Sequence, residues 1–387
     1  MIPLSYNVRS ILRRRFSAFA TAGGLGLVVF VFAAVLMLAR GVETTLKASG
    51  SHENAILVRK GSTSALTSFV PREAAKTFAA DPSVAIENGK QVASPELYVI
   101  FQLPRSDGNG TANVGFRGIT PDGWETIRSK TVHLTAGRLP QWATSEVMIG
   151  KSTLGRYQGA QIGQTINIAR RQWQVVGVFE AGGSAFESEI WTDADQLADA
   201  SHRVGYSILT VKLKSPSDFE TLHATVDVDP RWNLEAKRED AFYAEAAGLT
   251  ADFIRVLGKT IAFFFSFGAT LGAMITMYAQ VASRVREVGT LRALGFRRRS
   301  VLFSFLVEST ILSILGAVVG CAFATLLGAV SFHMTDFASF TEINFSFHFA
   351  PDIAAKATLF AVVMGLLGGS FPAARAARLP IAEATKG

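Results

Sequence analysis

The sequence predicts a membrane protein with four transmembrane α-helices and a large α+β domain outside the membrane, inserted between the first and second helices. Hydrophobic residues make up 49% of the 387 residues and charged residues only 18%, a balance that soluble enzymes of this size rarely show. Four long runs are apolar and nearly free of charge, and a polar stretch of about 215 residues separates the first two. These observations favour a multi-pass membrane protein.

Each apolar run is long enough to cross a bilayer, which takes about 20 helical residues. The runs 16–39 and 260–283 contain no charged residue, and the third run contains one acid, Glu308. A cleavable signal peptide is the alternative for the first run, but its 24 uncharged residues exceed a signal core of about 7 to 15 residues. We therefore predict spans at residues 16–40, 256–283, 300–332 and 356–374.

The positive charges lie beside the spans and predict the orientation. Residues 1–15 carry a net charge of +4, the connection 284–299 carries +5 and the tail 375–387 carries +2, within a total of +7. Because positive residues that flank spans remain in the cytosol, both termini and this connection are predicted to be cytosolic. The excess of positive charge is thus explained by the orientation of the spans, and we expect no nucleic-acid partner.

The stretch 41–255 alternates strand and helix signals, which is why we predict an α+β domain there. Short β-rich runs bounded by Gly, Pro and Asp alternate with two helical candidates. The loop 105–112 is rich in Ser, Gly and Asn and is predicted to join two subdomains. The strand runs are 55–58, 113–119, 165–168, 173–179 and 206–212, and the helical candidates are 71–78 and 193–200.

Motifs for catalysis or metal binding are not found in this sequence. The nearest approach to a phosphate-binding loop, residues 145–152, has Ser145 where the first glycine is required. The one cysteine, Cys321, forms no Cys/His cluster with zinc-ligand spacing, and the six histidines are scattered. We therefore expect no catalytic residue, metal or cofactor in this chain.

The connection 284–299 carries the strongest local signal. Val288, Leu291 and Leu294 recur at helical spacing among arginines, which predicts a short amphipathic helix that Gly295 ends. Such a helix would suit a protein partner, but a cationic helix resting on anionic lipid headgroups has the same composition. Composition alone leaves both interpretations open.

A family resemblance favours the protein partner. Residues 286–295, REVGTLRALG, resemble the coupling-helix motif of ABC permeases of the MacB/LolC/FtsX family. Glu308 followed by Gly316 and Gly320 resembles the third span of that family, and residues 371–379, FPAARAARL, resemble its closing motif. The pair 384–385 departs from that motif, since Ala-Thr stands where Ala-Leu is usual. The basic residues near the N-terminus also resemble an amphipathic first helix of the family.

The resemblance implies a permease in the bacterial inner membrane that works with a separate ABC ATPase. Two ATPase copies would bind ATP and Mg, and a second permease copy or paralogue, a periplasmic adaptor protein and membrane lipids would complete the assembly. Leu291 and Leu294 would be apolar anchors on the ATPase, and Glu287 and Arg292 polar contacts. The residues implied in ATPase coupling are Glu287, Val288, Gly289, Thr290, Leu291, Arg292, Ala293, Leu294 and Gly295.

The resemblance and the spans together give a predicted order along the chain. It is a cytosolic amphipathic helix (1–15), first span (16–40), periplasmic MacB-like domain (41–255), second span (256–283), cytosolic coupling helix (284–299), third span (300–332), short periplasmic loop (333–355), fourth span (356–374) and cytosolic tail (375–387).

Several residues within the spans are candidates for helix packing. Glu308 is expected to pair with an arginine or a helix end, and a proton relay is the alternative. Glycines four residues apart allow helices to approach closely, although such pairs are also ordinary in spans. The candidates are Gly268 with Gly272, Gly316 with Gly320, Gly365 with Gly369, and Pro372 near the end of the fourth span.

The function expected from this resemblance is export or extrusion by mechanotransmission, in which ATP-driven motion reaches the outer domain and the substrate need not cross through the permease. The outer domain is larger than in the cell-division FtsX type, and a split system resembling DevC or the LolC/E permeases is closest. The alternatives are a lipoprotein-releasing permease and a transmembrane regulator of an envelope hydrolase that moves no substrate.

Overall fold

The computed structural model describes residues 15–329, 331–335 and 341–378, which fall into two compact units. The membrane unit comprises Met1–Arg40, Phe253–Val330 and Ser346–Gly387, and the outer unit comprises Gly41–Asp252 and Ser331–Phe345. Most of the helix predicted at 1–15, and residues 379–387 of the predicted tail, lie outside the described residues.

The helices and strands follow one another in a simple order, with the outer elements placed between the first two long helices. They are α1 Arg15–Lys47, β1 Asn54–Arg59, α2 Arg72–Ala79, β2 Ile86–Glu87, β3 Lys90–Gln91, β4 Ala93–Pro104, β5 Thr111–Ile119, α3 Pro121–Thr126, β6 His133–Gly137, β7 Glu146–Gly150, β8 Thr165–Ile168, β9 Arg171–Glu180, β10 Ile190–Asp193, α4 Ala194–Ser201, β11 Ile208–Lys212, α5 Phe219–Val228, β12 Leu234–Arg238, α6 Glu239–Ser283, α7 Val285–Ala293, α8 Arg298–Leu326, β13 Ser331–Thr335, β14 Glu342–Ser346 and α9 Pro351–Arg378.

Within the described residues, α1, α6, α8 and α9 are long and apolar enough to cross a membrane. With the mixed α/β unit between α1 and α6, they confirm the predicted fold class. The helices do not end where the apolar runs end. α1 continues to Lys47 and α6 already begins at Glu239, because backbone hydrogen bonding extends a helix past the stretch that hydropathy marks.

The third span differs most from its prediction at 300–332. Helix α8 ends at Leu326, and Ser331–Thr335 forms strand β13, which pairs with β14. Among the described residues of the predicted short loop 333–355 are the end of β13, all of β14 and the first turn of α9. Apolar residues alone do not distinguish the end of a span from a strand that follows it.

The outer unit is organised around one mixed sheet of ten strands, ordered β12-β1-β11-β4-β5-β10-β7-β9-β6, with β8 also paired to β9. The pairs β5/β10 and β7/β9 are parallel, and the other pairs of this sheet are antiparallel. Helix α4 follows β10 because Asp193 caps it, its carboxylate accepting from the backbone N–H groups of Asp195 and Gln196. Both predicted helices are present, as α2 and α4.

The loop predicted at 105–112 does not join two subdomains. Strands β4 and β5 pair antiparallel from Glu96 opposite Ile119 to Pro104 opposite Thr111. Residues 105–110 are therefore the turn of a long hairpin within the sheet. Its Gly and Asn content suits a tight turn, and composition cannot distinguish such a turn from a linker.

Five buried charged side chains form an ion-pair cluster in the outer unit. Arg117 donates to Glu96 at 2.7 Å and to both oxygens of Glu189 at 2.7 Å. Arg128 donates to the other oxygen of Glu96 at 2.6 Å and to Glu239 at 2.9 Å. Each of the five residues is less than a tenth exposed. We call Glu96, Arg117, Arg128, Glu189 and Glu239 the outer ion-pair cluster.

Aromatic rings and hydrogen bonds enclose this cluster. The guanidinium groups of Arg117 and Arg128 lie 4.8 and 5.1 Å from the ring centre of Phe186. Burial alone would raise the pKa of Glu96, but Arg128 and Arg117 outweigh it and hold this pKa below its ordinary value. Glu96 is therefore ionised at neutral pH, and the cluster is a set of true ion pairs.

Strand β14 adds a second ionic contact in the outer unit. Glu342 accepts from the guanidinium groups of Arg105 and Arg156, and from the hydroxyl of Tyr157 at 3.2 Å. Asn344 donates its backbone N–H to the hydroxyl of Ser188 at 2.9 Å. The segment between the third and fourth spans is thus held to the outer unit by charge and by hydrogen bonds.

Replacement of Arg117 by methionine is expected to destabilise the outer unit by about 3–5 kcal/mol, because it leaves Glu96 and Glu189 buried without this cation. The measurement is urea unfolding of the full chain in detergent, followed by tryptophan fluorescence. All five tryptophans report on the outer unit: Trp124, Trp142, Trp173, Trp191 and Trp232.

The matched control is Arg138→Met, because Arg138 pairs with Glu146 at 2.6 Å on the surface, where its side chain is 57% exposed. Exposed ion pairs contribute little to stability. Arg138→Met should therefore unfold close to wild type, and equal unfolding curves for the two variants would contradict the role given to the outer ion-pair cluster.

Candidate functional site

The candidate site is the short helix α7, Val285–Ala293, between the second and third spans. One residue, Arg284, separates it from α6. At its other end the backbone N–H of Leu294 donates to the carbonyl of Thr290 at 2.9 Å. Gly295 follows with φ of +90°, a conformation that glycine adopts without strain, so the chain leaves the helix at the residue where the sequence predicted its end.

One face of α7 packs on the membrane unit and the other is open. Val288 is 2% exposed and lies in an apolar cluster with side chains of α6, α8 and α9, among them Phe305 and Ala376. Gly289 is buried beside it, and Leu291 is half-buried. The exposed residues of this segment are Arg286, Glu287, Thr290, Ala293, Leu294 and Gly295.

Leu294 is the most exposed large apolar residue of this segment. Its side chain is 72% exposed, next to the positive φ of Gly295. The sequence implied two apolar anchors. Leu294 is the more exposed of them, and Leu291 is partly buried against the rest of the chain.

The two polar contacts that the sequence implied have partners inside the chain. Glu287 accepts from Nε of Arg284 at 2.9 Å, and Nη1 of Arg292 donates to the carbonyl of Ala377 in α9 at 3.0 Å. These bonds orient α7 on the bundle. Arg284 itself is not among the predicted site residues, and the one signal for it is its place as the first cation after an uncharged run.

Glu308 is buried within α8, at 2% exposure, and accepts from Nη1 of Arg284 at 2.8 Å. The sequence expected it to pair with an arginine or a helix end. Arg284 also stacks over the ring of Phe305, with 5.3 Å between the guanidinium carbon and the ring centre. Because the carboxylate has a close cation, the geometry favours a structural ion pair over a proton relay.

The predicted glycine pairs lie in different surroundings. A Cβ on Gly320 would come within 2.5 Å of the carbonyl oxygen of Gly26, and a Cβ on Gly316 within 2.9 Å of that of Ala22, so α1 and α8 approach closely there. A Cβ on Gly268 or Gly272 would meet no atom within 4 Å. These two glycines line a cavity of about 510 Å³ between α1 and α6.

The fourth span carries the remaining candidates. Cβ atoms on Gly365 and Gly369 would lie 2.5 Å from the hydroxyls of Ser313 and Ser309, so α9 also lies close to α8. Pro372 is buried inside α9. Among the described residues, no group of three or more His, Cys, Asp and Glu side chains is arranged to hold a metal ion.

Fold and site together define a multi-pass membrane protein with a helical membrane unit, a folded outer unit and a short, partly exposed helix between the second and third spans. Residues 18–227 match the family model of the MacB-like periplasmic core domain, and residues 259–381 match that of the FtsX-like permease C-terminal region. The first match alone covers more than half of the chain. The chain therefore belongs to the family of MacB-like ABC permeases, as the motifs predicted.

Individual relatives agree with this assignment. The macrolide export ATP-binding/permease protein MacB of Brucella abortus is 26% identical over 388 residues, covering 92% of this chain and 56% of the relative. The pyoverdine export ATP-binding/permease protein PvdT of Pseudomonas putida is 27% identical over 236 residues, covering 56% and 34%. The chain thus spans about half the length, or less, of these curated relatives.

A solved structure also matches part of the chain. It is the crystal structure of the extracellular domain of the noncanonic ABC-type transporter YknZ from Gram-positive bacteria. The TM-score is 0.37 at 11% identity, and the match covers 48% of this chain and 99% of that one.

The glycine surroundings predict different tolerance to a single methyl group. Gly320→Ala should destabilise the membrane unit by about 1–3 kcal/mol, because its Cβ meets the backbone of α1. Gly268→Ala is the matched control and should be neutral or slightly stabilising, since alanine favours a helix and meets nothing there. The measurement is the thermal midpoint of each purified variant, and a lower midpoint for Gly268→Ala than for Gly320→Ala would refute this packing.

Proposed function

We propose that this chain is the permease subunit of an ABC transporter and transmits the ATP-driven motion of a separate ATPase to its outer unit. The observation that carries this proposal is α7, a short helix packed on three spans that exposes Leu294 to a partner. A helix that only rested on lipid would need its apolar face free, but Val288 is buried in the bundle. This supports a protein partner over a lipid surface.

The partner is the ATPase, which supplies the ATP and Mg chemistry that the proposal requires. The names of the relatives join an ATP-binding part and a permease part in one protein. We propose two ATPase copies on two permeases, because each α7 presents one apolar contact and a closing ATPase pair would need two. A periplasmic adaptor would then bind the outer units.

A displacement of α7 would be transmitted to the spans through the contacts that α7 makes with them. Val288 contacts the cluster formed by α6, α8 and α9, and Arg292 is bonded to α9. A displacement of α7 would therefore move the ends of three spans together rather than bend one loop. The outer unit would respond because β13 and β14, which follow α8, belong to it.

The work done by this motion is proposed to be export or extrusion of a substrate taken up outside the membrane. Relatives named for macrolide export and for pyoverdine export both resemble this chain. We propose the bacterial inner membrane as its site, with both termini and α7 in the cytosol and the outer unit in the periplasm. The charge of the connection 284–299 supports that orientation.

The ATPase contact is tested with Leu294→Asp, measured as ATP hydrolysis by the permease copurified with its ATPase. Permease-stimulated hydrolysis should fall about tenfold or more, since a charge at a buried anchor costs at least about 1.4 kcal/mol of binding. The matched control, Leu154→Asp, changes an exposed leucine of the outer unit and should leave hydrolysis unchanged. Wild-type hydrolysis in Leu294→Asp would contradict the proposed contact.

The orientation is tested by cysteine labelling in a Cys321→Ser background, because Cys321 is the one native cysteine. Ser217→Cys lies on the surface of the outer unit and should react with a membrane-impermeant maleimide in intact cells whose outer membrane has been opened. Thr290→Cys in α7 should react only after the inner membrane is also permeabilised. The opposite labelling pattern would invert the topology.

A further inference from the structure

Arg284 is the single residue that connects helices α6 and α7 of the membrane unit. Helix α6 ends at Ser283 and α7 begins at Val285, so this one residue, with φ −117° and ψ 15°, makes the break. Its backbone N–H donates to the carbonyl of Val281 at 3.1 Å, and its own carbonyl accepts from Val288 at 3.0 Å. The backbone of Arg284 is thereby fixed to both helices.

The side chain of Arg284 reaches a third element. It is 5% exposed, donates to Glu287 of α7 at 2.9 Å and to Glu308 of α8 at 2.8 Å, and covers the ring of Phe305. A planar guanidinium can serve two carboxylates at once with fixed directions. The geometry of α6, α7 and α8 is therefore set at one charged centre.

The opposite end of α7 is held to a different span. Arg292 in its last turn donates to the carbonyl of Ala377 in α9 at 3.0 Å. The first turn of α7 is thus linked to α8 through Arg284, while its last turn is linked to α9 through Arg292. Apolar contacts such as that of Val288 allow some sliding, whereas a buried ion pair resists separation because it would leave an unpaired charge.

We propose that Arg284 is the positioning residue that makes α8 move with α7, through its ion pair with Glu308. This inference rests on the proposed function, in which an ATPase moves α7. It adds the specific link by which that movement enters the third span. Without the link, the ATPase would still bind and displace α7, but the remaining apolar contacts would let α8 slide against it.

The test uses the complex of full-length permease and ATPase in lipid nanodiscs, without nucleotide and after trapping with ATP and vanadate. Spin labels are placed on Arg286→Cys, an exposed position of α7 outside the residues implied in ATPase coupling, and on the native Cys321 in α8. In the parent protein the distance between the two labels should be the same in both states. In Arg284→Met and in Glu308→Gln it should shift on trapping by more than the width of the distribution.

ATP hydrolysis is measured on the same samples. Glu308→Gln should retain the ATPase on purification and hydrolyse ATP within about twofold of the parent, because it leaves α7 and the bond between Arg284 and Glu287 unchanged. Arg284→Lys keeps the charge and should restore the constant label distance in part. The matched control, Arg299→Met, removes an exposed arginine at the start of α8 and should behave as the parent.

The outcomes separate this inference from the proposed function. A constant label distance in Arg284→Met or in Glu308→Gln would overturn the role of Arg284, even if the ATPase remains bound and active. If Arg284→Met does not accumulate in the membrane, Glu308→Gln, which keeps the size of the side chain, decides the question. Failure of any ATPase to copurify with the parent permease would instead overturn the proposed function and this inference with it.

Discussion

Ion pairing of buried charges is the constraint on which the rest of this structure depends, and it acts at both ends of α6. Glu239, the first residue of that helix, belongs to the outer ion-pair cluster, and Arg284, the residue after its last, pairs with Glu308. Buried pairs add little net stability because desolvation offsets their attraction. They do penalise every arrangement in which a partner is missing, so they specify where each end of α6 must lie.

Buried ion pairs thus fix the position of an element more than they add to stability, and this matters for the proposed mechanism. The spans pack mainly through apolar side chains, whose contacts are nondirectional and change gradually when helices slide. A force transmitted only through such contacts would dissipate in small rearrangements. Charged contacts at Arg284, Arg292 and Glu342 have fixed partners, and they occur where one element joins the next. They are the contacts best suited to keep neighbouring elements moving together.

The sequence predicted those features that depend on local composition. Long apolar runs gave the spans, and the spacing of Val288, Leu291 and Leu294 gave a helix that ends at Gly295, as observed. It did not predict the outer ion-pair cluster, because Arg128 and Glu239 are 111 positions apart and no periodicity connects them. The same reason explains strand β14, whose residue Asn344 bonds to Ser188, 156 positions earlier in the chain.

The glycines show the limit of spacing as a signal most clearly. Gly316 with Gly320 and Gly268 with Gly272 have the same spacing in equally apolar spans, yet only the first pair lies against another backbone. What differs is the surroundings: Gly316 and Gly320 lie against the backbone of α1, near Gly26, whereas Gly268 and Gly272 line the cavity between α1 and α6. Small residues permit close approach, but whether it occurs depends on how two helices pack against each other. A single span therefore cannot reveal which of its glycines makes the contact.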